Sequence, residues 1–526
     1  MGAGGRPGQS GHMPTTPRRT APIAAAVVTA TAALTALVPP AAGAAEPHRS
    51  DGRDRTGSVR LDWAACPGKG EDSAQRCAEL PVPLDHGDPR GEQITLTVSR
   101  IASTGPAARR GTLLLIPGGP GGSGIDRLAR FGPDLMAGTR GAYDLVSFDP
   151  RGVGLSSPVS CDLDPDDVAT VKLRPWPGPG GDISENVARG KRVADACARS
   201  EDPVLRSLSS VNEARDIDRV RAALGEERIS AWGVSYGAYV GAVYAQLFPH
   251  RTDRWLLDSI GDPDHTRVAR GWAENYGPAI EDRFPDFAAW ASKPRNPLRI
   301  APTPAGVRKE FLRLAARLDR EPRPWPGARP PVLDGNVLRQ TMMDAFYSDA
   351  NFPALAELML AAEDPRKPLP EPEVPPLEVL QNNAAVVVAT ICNDVRWPRS
   401  VPGYAREVAA NRVRYPLTAG LPVNIFPCAF WPYEPAEKPV RITSDGPSNI
   451  LLVQNLRDPS TPYRGALEMR RALGERARMV TVDAGGHGAY LSNGNARGDR
   501  TVTEFLLTGR RPGTDVVCRD PGPEAG

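Results

Sequence analysis

Histidine is scarce in this chain, with 6 residues among 526, and the 7 cysteines form no Cys-x-x-Cys pair and no Cys/His cluster at zinc spacing. A metal centre therefore has no support in the sequence. Charge of one sign is lacking too: 64 basic against 62 acidic residues leave a net charge of +2. No electrostatic drive toward nucleic acid or an anionic membrane follows from that balance. Past residue 38 no apolar run is long enough to span a bilayer, which argues against stable membrane insertion of the mature chain. No repeat at a fixed period is present. No G-x-x-x-x-G-K-[ST] lysine follows the glycine-rich loop, so no nucleotide cofactor is expected, and no other cofactor is implied. What is abundant is proline, 56 residues, and glycine, 52, with 40% hydrophobic and 24% charged residues overall. That composition describes a globular protein with many turns and long connections, large enough for a big core or two domains.

The first stretch carries Arg18-Arg19, an uncharged Ala/Val/Leu-rich run from Ala21 to Val38, Pro39-Pro40 and the small residues Ala42-Gly43-Ala44. This order predicts a secretory signal peptide, residues 1–44, cut after Ala44. The apolar residues expected just after a twin-arginine pair are missing, so general secretion is the better fit, and Met13 is an alternative start. Export makes disulfides the default state of the cysteines. Closeness in sequence favours Cys66–Cys77, Cys161–Cys197 and Cys392–Cys428, leaving Cys518 over.

Beyond a polar linker at 46–60, the segment Glu92 to Ile101 alternates apolar and polar residues like an antiparallel edge strand. Thr112–Ile116 and Tyr143–Phe148 read as buried strands, each ending in a Gly-rich loop. A helix over 211–224, a strand over 229–233, a helix over 236–248 and a strand over 254–257 follow. Strand–helix alternation of this kind predicts an α/β fold, a mostly parallel sheet with helices on both faces. The alternation stops over 263–445, a proline-rich stretch with helical patches at 305–318 and 352–362, read as a largely helical cap insertion with an acidic loop at 363–376. It resumes with a strand at 449–454, a helix at 463–473 and a strand at 478–482. The core is thus expected in two pieces, 45–262 and 446–526.

Gly233-Val234-Ser235-Tyr236-Gly237 lies where a strand gives way to a helix, the setting of a nucleophile elbow. A serine hydroxyl is a poor nucleophile unless a base stands beside it and backbone N–H groups face the developing charge. Both partners are present in the chain order of an α/β-hydrolase. Asp458 follows the strand ending at Gln454, and His487, flanked by glycines, follows the strand ending at Val482. Asp483 is the alternative acid. The loop Pro117-Gly118-Gly119-Pro120-Gly121-Gly122-Ser123-Gly124 follows a buried strand, and Gly119 N–H with Tyr236 N–H would form an oxyanion hole. Asp149-Pro150-Arg151-Gly152 has no catalytic part left to play and reads as a structural loop under the site.

Taken together, P-G-G-P-G-G-S-G, D-P-R-G-V-G, G-V-S-Y-G, R-D-x-x-T-P and G-x-H-G make the chain resemble the secreted tripeptidyl aminopeptidases of actinomycete bacteria, relatives of the proline iminopeptidases. The likeness extends to Cys392-Asn393-Asp394 with Trp397-Pro398 and to Pro427-Cys428-Ala429 with Trp431-Pro432. It implies an α/β-hydrolase fold, Ser235 as nucleophile, Asp458 as acid and His487 as base. It further implies an exported exopeptidase, extracellular or held at the cell wall, that takes short peptides from free N-termini. Relatives often carry a cysteine soon after the catalytic histidine, but Gly494-Asn495-Ala496 offers none to Cys518. An ammonium in a partly desolvated pocket needs a carboxylate partner, and the cap acids Asp394, Glu274 and Glu281 are the candidates. A carboxylesterase or lipase-like hydrolase with the same triad, and a catalytically silent extracellular binding protein, are the alternatives.

Overall fold

The apolar run Thr112–Ile116 is buried along its whole length, as a strand covered on both faces must be. It lies inside a ten-stranded sheet. A computed structural model describes residues 61–70, 73–105, 109–169 and 173–519. The leader, its expected cleavage at Ala44 and the linker at 46–60 lie outside them. We number the strands of this sheet β1 (Ala64–Ala65), β2 (Gln75–Pro83), β3 (Gln93–Ile101), β4 (Thr112–Ile116), β5 (Asp144–Phe148), β6 (Ile229–Ser235), β7 (Thr252–Ile260), β8 (Ile450–Arg457), β9 (Ala477–Gly485) and β10 (Val516–Cys518). Their spatial order is β1-β2-β3-β5-β4-β6-β7-β8-β9-β10. Every pairing from β5 to β10 is parallel, and those among β1, β2, β3 and β5 are antiparallel. This is the α/β-hydrolase architecture.

The expectation of an edge strand at Glu92 to Ile101 needs correction, because β3 pairs with β2 along one side and with β5 along the other. The outer long strand is β2, flanked only by the two-residue β1, and its Pro81 and Pro83 make it hard to recognise. Its far side pairs only at Arg76 and Cys77, so the missing proline N–H groups interrupt no ladder there.

Helices α1 (Gly124–Gly138), α2 (Ser210–Ala223) and α3 (Tyr236–Leu247) connect the central strands. The expected cap segment divides its apolar side chains between two cores. Helices α4 (Tyr276–Ala291), α5 (Pro304–Leu318), α6 (Gly335–Ala345) and α7 (Phe352–Glu363) close around Phe284, Phe287, Phe311, Phe346 and Phe352. Their rings meet largely edge to face, at 5.4 Å between Phe287 and Phe352, the arrangement the aromatic quadrupole favours. Helix α8 (Leu377–Asp394) instead sends Ala384, Val388 and Cys392 into the main core beneath the sheet.

All three pairings expected from spacing form: Cys66–Cys77, Cys161–Cys197 and Cys392–Cys428. Cys518 is free and buried on β10. Disulfides of this number fit an extracellular protein. Among the described residues no helix is long and apolar enough to cross a membrane.

Candidate active site

Ser235 ends β6 with φ 61° and ψ −126°, a conformation non-glycine residues rarely adopt. The flanking glycines are needed because strand, helix and loop meet without room for side chains. A Cβ on Gly233 would lie 2.3 Å from the Gly237 carbonyl oxygen, and one on Gly237 would lie 2.4 Å from that of Pro117. The turn therefore lifts Ser235 out of the sheet at the start of α3. Tyr236, first residue of that helix, has an N–H with no partner inside the helix.

Opposite lies the glycine loop after β4. Gly119 has φ 127°, and a Cβ on Gly118 would approach Ser235 Cβ to 3.1 Å. Ser123 closes the loop by capping α1 and also donates to Asp149, at 2.8 Å. Asp149 further accepts from the backbone N–H groups of Ile125 and Leu155. The D-P-R-G segment thus ties down the glycine loop from below.

His487 presents Nδ1 to both oxygens of Asp458, each at 3.0 Å. The acid is 2% exposed and accepts from the backbone N–H groups of Ser460 and Thr461, both at 2.9 Å, and from Thr461 Oγ1 at 3.1 Å. Burial works to raise its pKa, but His487 and these hydrogen bonds outweigh it and hold the carboxyl below its ordinary value. Asp483 turns away and pairs with Arg457 at 2.9 Å. The loop carrying His487 is anchored to the end of β7. Gly488 N–H donates to Ser259, and the N–H groups of Ala489 and Tyr490 donate to Asp258.

Tyr347, which sequence reasoning missed, comes from the segment after α6 and joins the cap to this loop. Its carbonyl accepts from His487 N–H at 2.9 Å, its hydroxyl donates to Ser460 at 2.9 Å, and its ring meets the imidazole edge to face at 4.9 Å. No motif marks it, since the cap lacks the strand–helix rhythm that locates the other site residues.

Ser235, His487, Gly119 and Tyr236 line one chamber of about 380 Å³. A second chamber of about 310 Å³ is walled by Val387, Ile391, Trp397, Leu421 and Phe426. The two share Gly119, Arg174, Trp272, Tyr276, Tyr347 and Asn383.

The three cap acids expected at a substrate amine do not line either chamber. Asp394 is buried against the start of α2, where its two oxygens accept from Ser210 N–H at 2.8 Å and Ser210 Oγ at 2.6 Å. Glu274 is held by Arg267 and Arg270. Glu281 pairs with Arg308 and accepts from Leu417 N–H. Each carboxylate already has a partner elsewhere in the fold.

Comparison with known proteins places the chain in a family. Residues 419–518 match the family described as TAP-like protein. The Tripeptidyl aminopeptidase of Streptomyces lividans is 34% identical over 481 residues, 88% of this chain and 87% of its own length. The chain belongs to the tripeptidyl aminopeptidase family of α/β-hydrolase serine peptidases. Two further relatives show how that family spreads. Serine protease Hip1 of Mycobacterium tuberculosis is 28% identical over 84% of this chain and 87% of its own length. A Carboxylesterase B of the same species is 28% identical over 92% of this chain and 95% of its own length.

Proposed function

We infer that the chain is a secreted serine exopeptidase that removes short peptides, tripeptides by the family's naming, from free N-termini. The observation that carries this reading is the single roofed chamber in which Ser235 and His487 meet the glycine loop, with Asp458 behind the imidazole. Ser235 Oγ attacks the scissile carbonyl while His487 Nε2 takes its proton, since Nδ1 is committed to Asp458. The oxyanion is received by the N–H groups of Gly119 and Tyr236. His487 then protonates the leaving amine, and water releases the acyl group by the reverse sequence.

Paired peptides with free and acetylated N-termini test this, with Ser235→Ala as the control. Faster turnover of the free form, lost in the variant, is the expected result. Equal cleavage of both forms would overturn the exopeptidase reading. A carboxylesterase is the second reading, favoured by the absence of any acid among the described residues that line the chambers and by the relative that bears that name. Turnover of short-chain esters with no peptide amide cleaved would decide for it.

A further inference from the structure

Two guanidinium groups line the reaction chamber, Arg127 from α1 and Arg174 from the segment before the helix Ser184–Arg199, and no carboxylate lines it among the described residues. Among the described residues neither arginine makes an ion pair, and the buried Asp258 acts on Arg127 only through its field. Arg127 stacks on Phe131 and Trp232 at 4.8 Å, and its Nε and Nη2 are buried without a hydrogen-bond partner. Arg174 lies 5.3 Å from the ring of Tyr276. Asp344, on the last turn of α6, acts on Arg174 through its field without pairing with it. Asn383, from α8, is exposed at the same junction between the two chambers.

A guanidinium with buried, unpartnered N–H groups, as Arg127 has, is costly in a structural role, and the half-buried Arg174 has no carboxylate among the described residues within ion-pair distance. Such groups become useful when a ligand supplies the missing charge, because arginine binds carboxylates through paired, charge-assisted hydrogen bonds. We propose that Arg174, together with Asn383 and Arg127 of the same chamber lining, forms a carboxylate-binding site that makes this enzyme prefer substrates carrying an anionic group next to the bond cleaved. The carboxylate comes either from an acidic side chain on the acyl side or from the C-terminus of a short leaving peptide. This site refines the peptidase reading of the same chamber and rests on it for the choice of peptide substrates.

The test measures kcat/KM for free-N-terminus peptides that differ by Glu against Gln at one position at a time, and by a C-terminal acid against an amide. A pair of p-nitrophenyl esters, hydrogen glutarate against butyrate, runs alongside. An advantage of about tenfold or more for the anionic member of a pair is expected, the scale of one charge-assisted hydrogen bond. Arg174→Gln should bring that ratio close to one, with Arg174→Lys in between. A Glu/Gln effect identifies the side-chain source, and an acid/amide effect identifies the C-terminal one. Ratios within twofold throughout, or an advantage that Arg174→Gln leaves intact, would overturn the site. Should no peptide be cleaved, the peptidase reading falls while the ester pair still decides this one. Should Arg174→Gln fail to fold, the wild-type ratios and Arg174→Lys decide it.

Discussion

Arg151 and Asp216 face each other through two 2.7 Å hydrogen bonds, Nε to Oδ2 and Nη2 to Oδ1, with both side chains shut away from solvent. His86 completes the cluster at 2.9 Å from Asp216. Burial pushes the Asp216 carboxyl up, and Arg151 with His86 overcomes this and holds it below its ordinary value. The arginine of the D-P-R-G motif thus fastens the loop under the site to helix α2. Arg151→Met should cost about 3–5 kcal/mol in urea unfolding, because it leaves a buried carboxylate largely uncompensated. Adding Asp216→Leu should recover most of that loss. A single variant weakened by less than about 1 kcal/mol would show that the pair is not the fastening.

Glu213 gives the protein an alkaline weakness. It is buried on α2 with Oε1 unpartnered, near Tyr236 of the elbow, Asp216 of its own helix, Asp394 of α8 and Arg151. Burial, with the acids Asp216 and Asp394 adding to it, lifts its pKa from 4.5 to about 8. Between those values the unfolded chain has released a proton that the folded chain still holds. Stability therefore falls as pH rises through that window, by on the order of a few kcal/mol in all. Glu213→Gln should remove this slope. Its Tm advantage over the wild type should grow from pH 5 to pH 8, and parallel Tm curves would contradict the assignment.

The elbow geometry separates chemistry from strain. Ser235→Ala should lower kcat by at least about 10³-fold while leaving the fold intact, and Asp458→Asn by about 10⁴-fold through loss of the imidazole's orientation. Because Ser235 sits at φ 61°, Ser235→Gly should melt above Ser235→Ala, by about 1 kcal/mol in stability. Calorimetry on the two inactive variants reads that order directly.

Gly237→Ala provides a steric test. The added Cβ would sit 2.4 and 2.5 Å from the carbonyl oxygens of Pro117 and Ile116, which are backbone and cannot swing aside. A loss of at least about 1–3 kcal/mol is expected. Activity should fall further than stability, since the clash pushes the glycine loop away from Ser235.

Much of this was legible in the sequence where regular structure controls position. Runs such as Thr112–Ile116 and Tyr463–Leu473 form the expected elements with the expected bounds. Ser235, Asp458 and His487 could be singled out as candidates because each stands at or just after the end of a strand, and strands announce themselves by apolar runs. The outer strand β2 was not, since its prolines oppose a strand reading that only its sparsely paired side permits. The cap acids were misplaced for another reason. Charge alone does not say which partner a carboxylate takes, and Ser210, Arg267, Arg270 and Arg308 are distant in sequence or unmarked by any motif. Tyr347 and Arg174 reach the chamber through cap packing that leaves no local pattern.

The lone thiol of Cys518 lies on the last and shortest parallel strand, sealed among the apolar side chains of β9 and helix 496–508. Its six companions are locked in disulfides. A thiol reagent thus meets a single reactive atom, and only after the sheet's final strand has peeled away. The rate at which it labels the native protein is a clock for opening at that edge, read without adding a probe or changing a residue.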